Sequence, residues 1–293
     1  MNQGDAELFK LTPGQIQAHL ERNRTNAESL LAAFNATSDM ALLREAASRF
    51  PSNALVLATV LANDALTGRR QELLEQFKKL APDNPLPNYL SARDYSRAGQ
   101  PDLALAEFED AASKSEFRDY TVERIQGLED LYLGAGYPAA EAKALAMAGL
   151  QMPTLGQLRD LGRDLAAIEK QYNAGGDAPS ARALARMGLG MAGNLNGPNA
   201  TSLLGQMVGN FIERGFLAGL DPNATPDFLG QPIGDRMAQL RAQEESFRES
   251  ARFFDGWMES ATDAQRVGYF DRLKLYGEAA ALDWAKTQSA GTP

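Results

Sequence analysis

The chain has no cysteine and a single histidine, His19, among its 293 residues. The missing cysteine excludes disulfides, thiolate nucleophiles and cysteine-type zinc sites. One histidine cannot build a histidine-rich metal site, and a serine-histidine-acid triad would depend wholly on it. β-Branched residues are sparse and no convincing run alternates apolar with polar side chains, so a sheet is not expected. Long charge-free apolar runs are missing too. The longest apolar stretch, residues 200 to 220, is interrupted by Asn210, Glu213 and Arg214 and falls short of a membrane-crossing helix.

Basic charge is also in short supply. Lysine and arginine number 29 against 38 acidic residues, a formal net charge of −9. The acids cluster at Glu107, Glu109, Asp110, Glu116, Asp119, Glu123, Glu129 and Asp130. Such a face repels phosphate backbones, so no nucleic-acid partner is expected. It reads as a solvated convex face, with a docking surface for a basic partner as the alternative. The first residues, Met1 to Glu7, carry neither a basic n-region nor an apolar h-region. The expected location is cytoplasmic if Met1 is the natural start, and periplasmic or envelope-exposed if a leader was trimmed; a cysteine-free chain suits either. The sequons at Asn35, Asn199 and Asn223 would matter only in a glycosylating pathway.

What the chain does have is alanine, leucine and a regular spacing of helix-closing prolines. Phe50-Pro51, Ala81-Pro82 and Met152-Pro153 each follow a pair of amphipathic segments. Pro51 to Pro82 is close to one period of about 34 residues, and Pro82 to Pro153 is about two, the period of helix-turn-helix repeats. The clearest unit runs from about residue 85 to 116. Ala92 and Tyr95 lie on its first helix, Gly99 in its turn, Pro101 at the start of the second, and Ala104, Phe108 and Ala111 along that second helix. The alanines permit close helix approach, Tyr95 and Phe108 fill the volume between neighbouring pairs, and Gly99 accepts the positive φ that ends a helix. A next unit repeats the scheme with Ile125, Leu128, Tyr132, Gly136, Leu145 and Ala148, although Glu141 stands where a small residue is wanted. A further unit has Leu165, Ile168 and Tyr172, a turn from Asn173 to Asp177, then Ala181, Leu184 and Ala185. Earlier units are fainter, and the one ending at Pro82 has a late turn at Thr67-Gly68.

This pattern resembles the tetratricopeptide repeat over roughly residues 21 to 194. The fold class expected is all-α, a right-handed α-α superhelix with a C-terminal capping region. Residues 1 to 20 would form an arm and helix start, with the first helix spanning 13 to 34 behind a Thr12 cap and Pro13. Residues 21 to 194 would form the repeats and 199 to 293 the cap. In that last region, breakers at Asn194 to Pro198 and Leu220 to Pro226 isolate a helix over 200 to 219, whose Gly205, Gly209, Gly215 and Gly219 imply close packing. A long helix over 234 to 260 carries an apolar seam of Met237, Leu240, Phe247, Ala251, Phe254 and Met258, broken by Glu244. A final pair over 263 to 276 and 278 to 287 looks like an end cap.

Chemistry is hard to find. Gly188-Leu189-Gly190-Met191-Ala192-Gly193 is a literal GxGxxG, but it follows a helical segment rather than a strand, so no nucleotide site or other cofactor is expected. His19 is expected on a helix surface. Glu109/Asp110 and Glu129/Asp130 are adjacent on helices and point about 100° apart, so they cannot converge on one bond. No catalytic or metal-binding residue is expected. By the resemblance, the first helix of each unit lines a concave groove holding Asn63, Tyr89, Arg93, Arg97, Asp130, Lys170 and Asn173. Arg93 and Arg97, one turn apart, could clamp a carboxylate or an acidic peptide. The resemblance thus implies a non-enzymatic scaffold for a protein or extended peptide. The alternative is an all-helical enzyme with carboxylates Asp221, Asp227 or Asp235 near the 221 to 235 loop.

Overall fold

The computed structural model of the protein describes residues 11–23, 25–197 and 200–290. Those residues fold as an all-α protein, 77% helical, with no strand among them and with neighbouring helices packed consecutively. In chain order the helices are α1 Pro13–Arg22, α2 Ala27–Thr37, α3 Met40–Arg49, α4 Ala54–Ala62 and α5 Arg70–Leu80. There follow α6 Leu86–Arg97, α7 Pro101–Ala112, α8 Thr121–Gly134, α9 Ala139–Ala148 and α10 Pro153–Ala174. The last five are α11 Ala178–Asn196, α12 Leu203–Leu217, α13 Ile233–Ser260, α14 Asp263–Tyr276 and α15 Glu278–Ala290. Met1 to Glu7, Pro198 and the Asn199 sequon lie outside the described residues.

The chain forms two compact units. The first comprises Met1–Pro82, Arg118–Pro153 and Thr262–Asp271, and the second Asp83–Phe117, Thr154–Ala261 and Arg272–Pro293.

Within the first unit the helix ends are written locally. Thr12 and Gln15 form a reciprocal capping box on α1, and Asn26, Asp39 and Asn53 cap α2, α3 and α4. The single helix expected over 13 to 34 is therefore two. Asn23 donates its side-chain amide to the His19 carbonyl at 3.0 Å, and Asn26 accepts the Glu28 N–H at 2.9 Å, so two asparagines offer the backbone partners outside a helix. The turn placed at Thr67-Gly68 comes earlier, at Asp64 and Leu66, which take positive φ; Thr67–Arg69 is a single 3₁₀ turn. Helix α2 packs on α3 and also on α8, a contact spanning nearly a hundred residues of sequence. Helices α8 and α9 pair as a hairpin, and Lys143 bridges buried Glu129 and Asp271 at 2.6 Å each. Two members of the acidic cluster are thus internal rather than solvated: Glu129 here, and in the second unit Glu107, which accepts the Asn88 amide at 2.8 Å.

The second unit contains the clearest hairpin, α6 and α7. Ala92, Ala104 and Ala111 are buried between close helices, and Gly99 takes φ +70° at the turn. The aromatic expected beside Phe108 is different: Tyr89 meets it with ring centroids 5.6 Å apart, while Tyr95 is partly exposed. Helices α11 and α12 lie in close contact, since a methyl group on Gly188 would overlap the Phe216 ring and one on Gly209 would come within 2.9 Å of the Ala192 carbonyl oxygen. The GxGxxG segment lies inside α11, where Gly188 is a packing glycine. Helix α12 also packs on α13, and α13 on α15, where Trp257 and Trp284 meet edge-on at 6.3 Å and Arg272 stacks on Trp284 at 4.2 Å. Among the described residues no helix is long and apolar enough to cross a membrane.

Candidate functional site: an open apolar face on the second unit

Helix α12, LLGQMVGNFIERGFL, has large apolar side chains over more than half of its circumference. Val208, Ile212, Phe216 and Leu217 are buried, Phe216 completely. A helix of this composition is ordinarily enclosed. Here the outward stripe stays open: Leu204 is 47% exposed, Met207 47% and Phe211 45%, at steps of three and four. Two polar side chains of the same helix point inward. Asn210 accepts the Asn196 amide at 2.9 Å, and buried Glu213 takes two hydrogen bonds from Arg236 at 2.5 and 2.8 Å.

Beside this stripe lies a cavity of about 620 Å³. Its floor is made by Ala166 and Ala167 of α10, Phe211, Ile212 and Ala218 of α12 and its end, and Met237 of α13. Small residues hold the floor together: a methyl on Gly162 would overlap Ile212, and one on Gly215 would lie 3.4 Å from the Ala166 methyl. Arg163, Lys170 and Arg214 line the cavity, and no carboxylate does. Arg163 pairs with Asp160 and Asp164 at 3.2 and 3.3 Å outside the lining, and Arg214 pairs with Glu244. Glu244 is the residue that interrupts the apolar seam of α13; the interruption places an acid opposite Arg214. No ion pair within 4 Å holds the exposed Lys170 ammonium among the described residues, although its charge opposes the rise of the neighbouring Glu169 carboxyl; the Lys170 stem lies close to Gly219, where a methyl would come within 3.4 Å of it.

At the start of α12 the apolar surface has a neighbour. Gly277, at φ +84°, sits where a methyl would be 3.0 Å from the Ala200 carbonyl. Glu278 donates its N–H to the Thr201 carbonyl at 3.0 Å, and its carboxylate accepts the Leu203 N–H at 2.7 Å. Burial raises the Glu278 carboxyl, with that hydrogen bond opposing. The residues just before this junction, Leu275 and Tyr276, are each 71% exposed.

The seven residues expected to line a groove fall in both units. Asn63 and Asp130 belong to the first unit; Asn63 donates to the Thr59 carbonyl at 2.8 Å and exposed Asp130 accepts the Gln126 amide at 2.8 Å. In the second unit Tyr89 and Arg93 are buried. Tyr89 accepts the Asn194 amide at 2.7 Å, and burial, against the pull of that bond, pushes its phenol up to about 12. Arg93 lies 3.7 Å from Asp94. Arg97, Lys170 and Asn173 are exposed, and Asn173 donates to the buried carboxylate of Glu169, which burial raises above its ordinary range. Only Lys170 lines the cavity of about 620 Å³. The open stripe of α12 escaped the sequence reading, because a pattern with Gln206, Asn210, Glu213 and Arg214 on one side and apolar residues on the other predicts the polar side, not part of the apolar side, to face water.

Two of the three carboxylates of the 221 to 235 loop have partners of their own. Asp221 accepts the Asn223 N–H at 3.0 Å within its own turn, and Asp227 pairs with Arg186 at 2.8 Å. In the first unit His19, expected at a surface, is 5% exposed, because α1 packs on α2 and α8. Burial, with the Arg22 charge second and Asp130 opposing, lowers it below its ordinary 6.5. It lines a polar cavity of about 350 Å³ with Arg22, Ser29 and Asp130. Compared with known protein families, curated proteins and solved structures, the chain matches none.

Proposed function

We propose that the protein is a non-enzymatic helical scaffold that binds another protein, and that the binding surface is the open stripe of α12 with its adjoining cavity. The observation that carries this reading is the inversion of α12, with Asn210 and Glu213 inside and Leu204, Met207 and Phe211 outside. Apolar stripes of this kind on a folded helix mark interaction surfaces. The engagement of Asp221 and Asp227 in a turn and an ion pair supports the scaffold over the enzyme reading.

The tetratricopeptide likeness belongs to the same proposal, including continuation of the hairpins into a right-handed superhelix. It is supported by positive φ at Gly99, Gly136 and Gly176 in three successive hairpin turns and by the buried alanines of α6 and α7. It has to accommodate the packing of α2 on α8, since repeats in a simple array touch only their neighbours.

A photoreactive residue at Met207 in the full chain tests the proposed surface, with Leu103, equally exposed at 47%, as the control position. The expected result is one adduct of defined mass from position 207, absent from position 103 and lost with Phe211→Asp. Equal labelling from both positions would overturn the reading.

A further inference from the structure

Resting on that scaffold reading, we infer the chemistry of the partner: an amphipathic helix of about four turns whose apolar side chains cover the α12 stripe and whose carboxylates meet Lys170 and Arg214. Length is the first ground. The stripe from Leu204 to Phe211 and the cavity that continues it to Ala218 together extend about 21 Å at about 1.5 Å per residue, longer than a compact metabolite and matched by a helix of about 15 residues. Relief is the second. Leu204, Met207 and Phe211 stand out at steps of three and four beside a trough floored by alanines and glycine, a ridge and groove of the kind into which another helix packs.

Charge is the third ground, and it sets the sign. The whole chain carries −9, yet the cavity at the C-terminal end of the stripe is lined by Arg163, Lys170 and Arg214 without a carboxylate. Lys170 has no ion-pair partner within 4 Å among the described residues, and a guanidinium with five N–H donors can serve Glu244 and a second carboxylate together. A partner acid at this end gains two cations close to an apolar floor. A partner lysine there would meet like charges with no acid in the lining, which rejects basic helices.

The test uses the full chain and two fluorescein-labelled synthetic peptides of about 15 residues. They share one leucine stripe and differ in carrying glutamates or lysines at the end laid over Lys170. Fluorescence anisotropy is expected to show saturable binding of the acidic peptide, at least about tenfold tighter than the basic one and weakening as salt is raised. Lys170→Glu should weaken the acidic peptide by about tenfold, and Phe211→Asp should abolish binding; unchanged circular dichroism in both variants keeps the comparison valid. Equal binding of the two peptides would overturn the charge assignment. Failure of both peptides, with the adduct at position 207 still formed, would overturn the helical acidic partner while leaving the scaffold reading intact; failure of both tests removes the two together. Binding of laurate but of neither peptide, or self-association in sedimentation that Phe211→Asp abolishes, would also overturn the inference, in favour of a small amphiphile or a second copy of the chain.

Discussion

Helices α4 and α12 are both rich in large apolar side chains, and they meet opposite fates. In α4, ALVLATVLA, every residue from Leu55 to Ala62 is buried, with α3 and α5 packed against it inside the first unit. In α12, α10, α11 and α13 cover the faces carrying Val208, Ile212 and Phe216, and the fourth face stays open. A helix rich in large apolar side chains calls for cover wherever they stand, because each one left in water forgoes about 1.5 to 3 kcal/mol of burial. The difference teaches where to look for function in a protein without catalytic groups: at the helix whose demand for cover its own chain does not meet.

Leu57→Ala tests the enclosed helix and carries the largest expected effect. Leu57 is almost wholly buried, so truncation should lower the free energy of unfolding by about 2 to 5 kcal/mol, measured by urea denaturation. Gly188→Ala probes the closely packed side of α12. Alanine is intrinsically better in a helix by about 1 kcal/mol, but overlap with the Phe216 ring should reverse that gain, for a net loss within the roughly 1 to 3 kcal/mol range of overpacked cores. A thermal midpoint above that of the wild type would mean that α11 and α12 are less closely packed than described.

Smaller changes sharpen the contrast. Tyr89→Phe leaves the buried ring in place and removes the acceptor of the Asn194 amide, which should cost about 1 kcal/mol. His19 supplies a pH test in the first unit. Its folded pKa is depressed, so the unfolded chain binds the proton more readily, and its contribution is complete above pH 6.5 and declines as pH falls toward the folded value. Wild type should therefore lose more stability than His19→Gln on acidification from pH 7 to about pH 5. Because the chain has one histidine, its single imidazole resonance reports the folded pKa directly. The smallest effect belongs to the open stripe. Phe211→Ala should change unfolding free energy by no more than about 1 kcal/mol, since only half of the ring is covered, while removing peptide binding, which separates α12 from α4 most clearly.

Much of the fold was legible because its cues are local. Gly99, Gly136 and Gly176 mark hairpin turns by their positive φ, and the boundaries of α12 to α15 fall close to those expected from breakers and periodicity. Cues failed where several residue types could fill one role. Tyr89, rather than Tyr95, packs on Phe108, because the rotation of α6 about its axis is set by what surrounds it. For the same reason Tyr89 and Arg93, expected to face a groove, lie on a helix that is buried from Leu86 through Arg93. His19 and Glu244 look like a surface histidine and a flaw in a seam until α2, α8 and Arg214 are placed around them.

By itself the sequence determined an all-α chain without thiol chemistry, and the ends of most of its helices, because caps, prolines and turn glycines act within a few residues of where they stand. The tertiary structure alone decided that α2 would lie on α8, that His19 would be enclosed, and which quarter of α12 would remain open. Those outcomes depend on side chains far apart in the chain meeting in a filled volume, and a one-dimensional pattern of apolar residues states that cover is needed without stating what provides it.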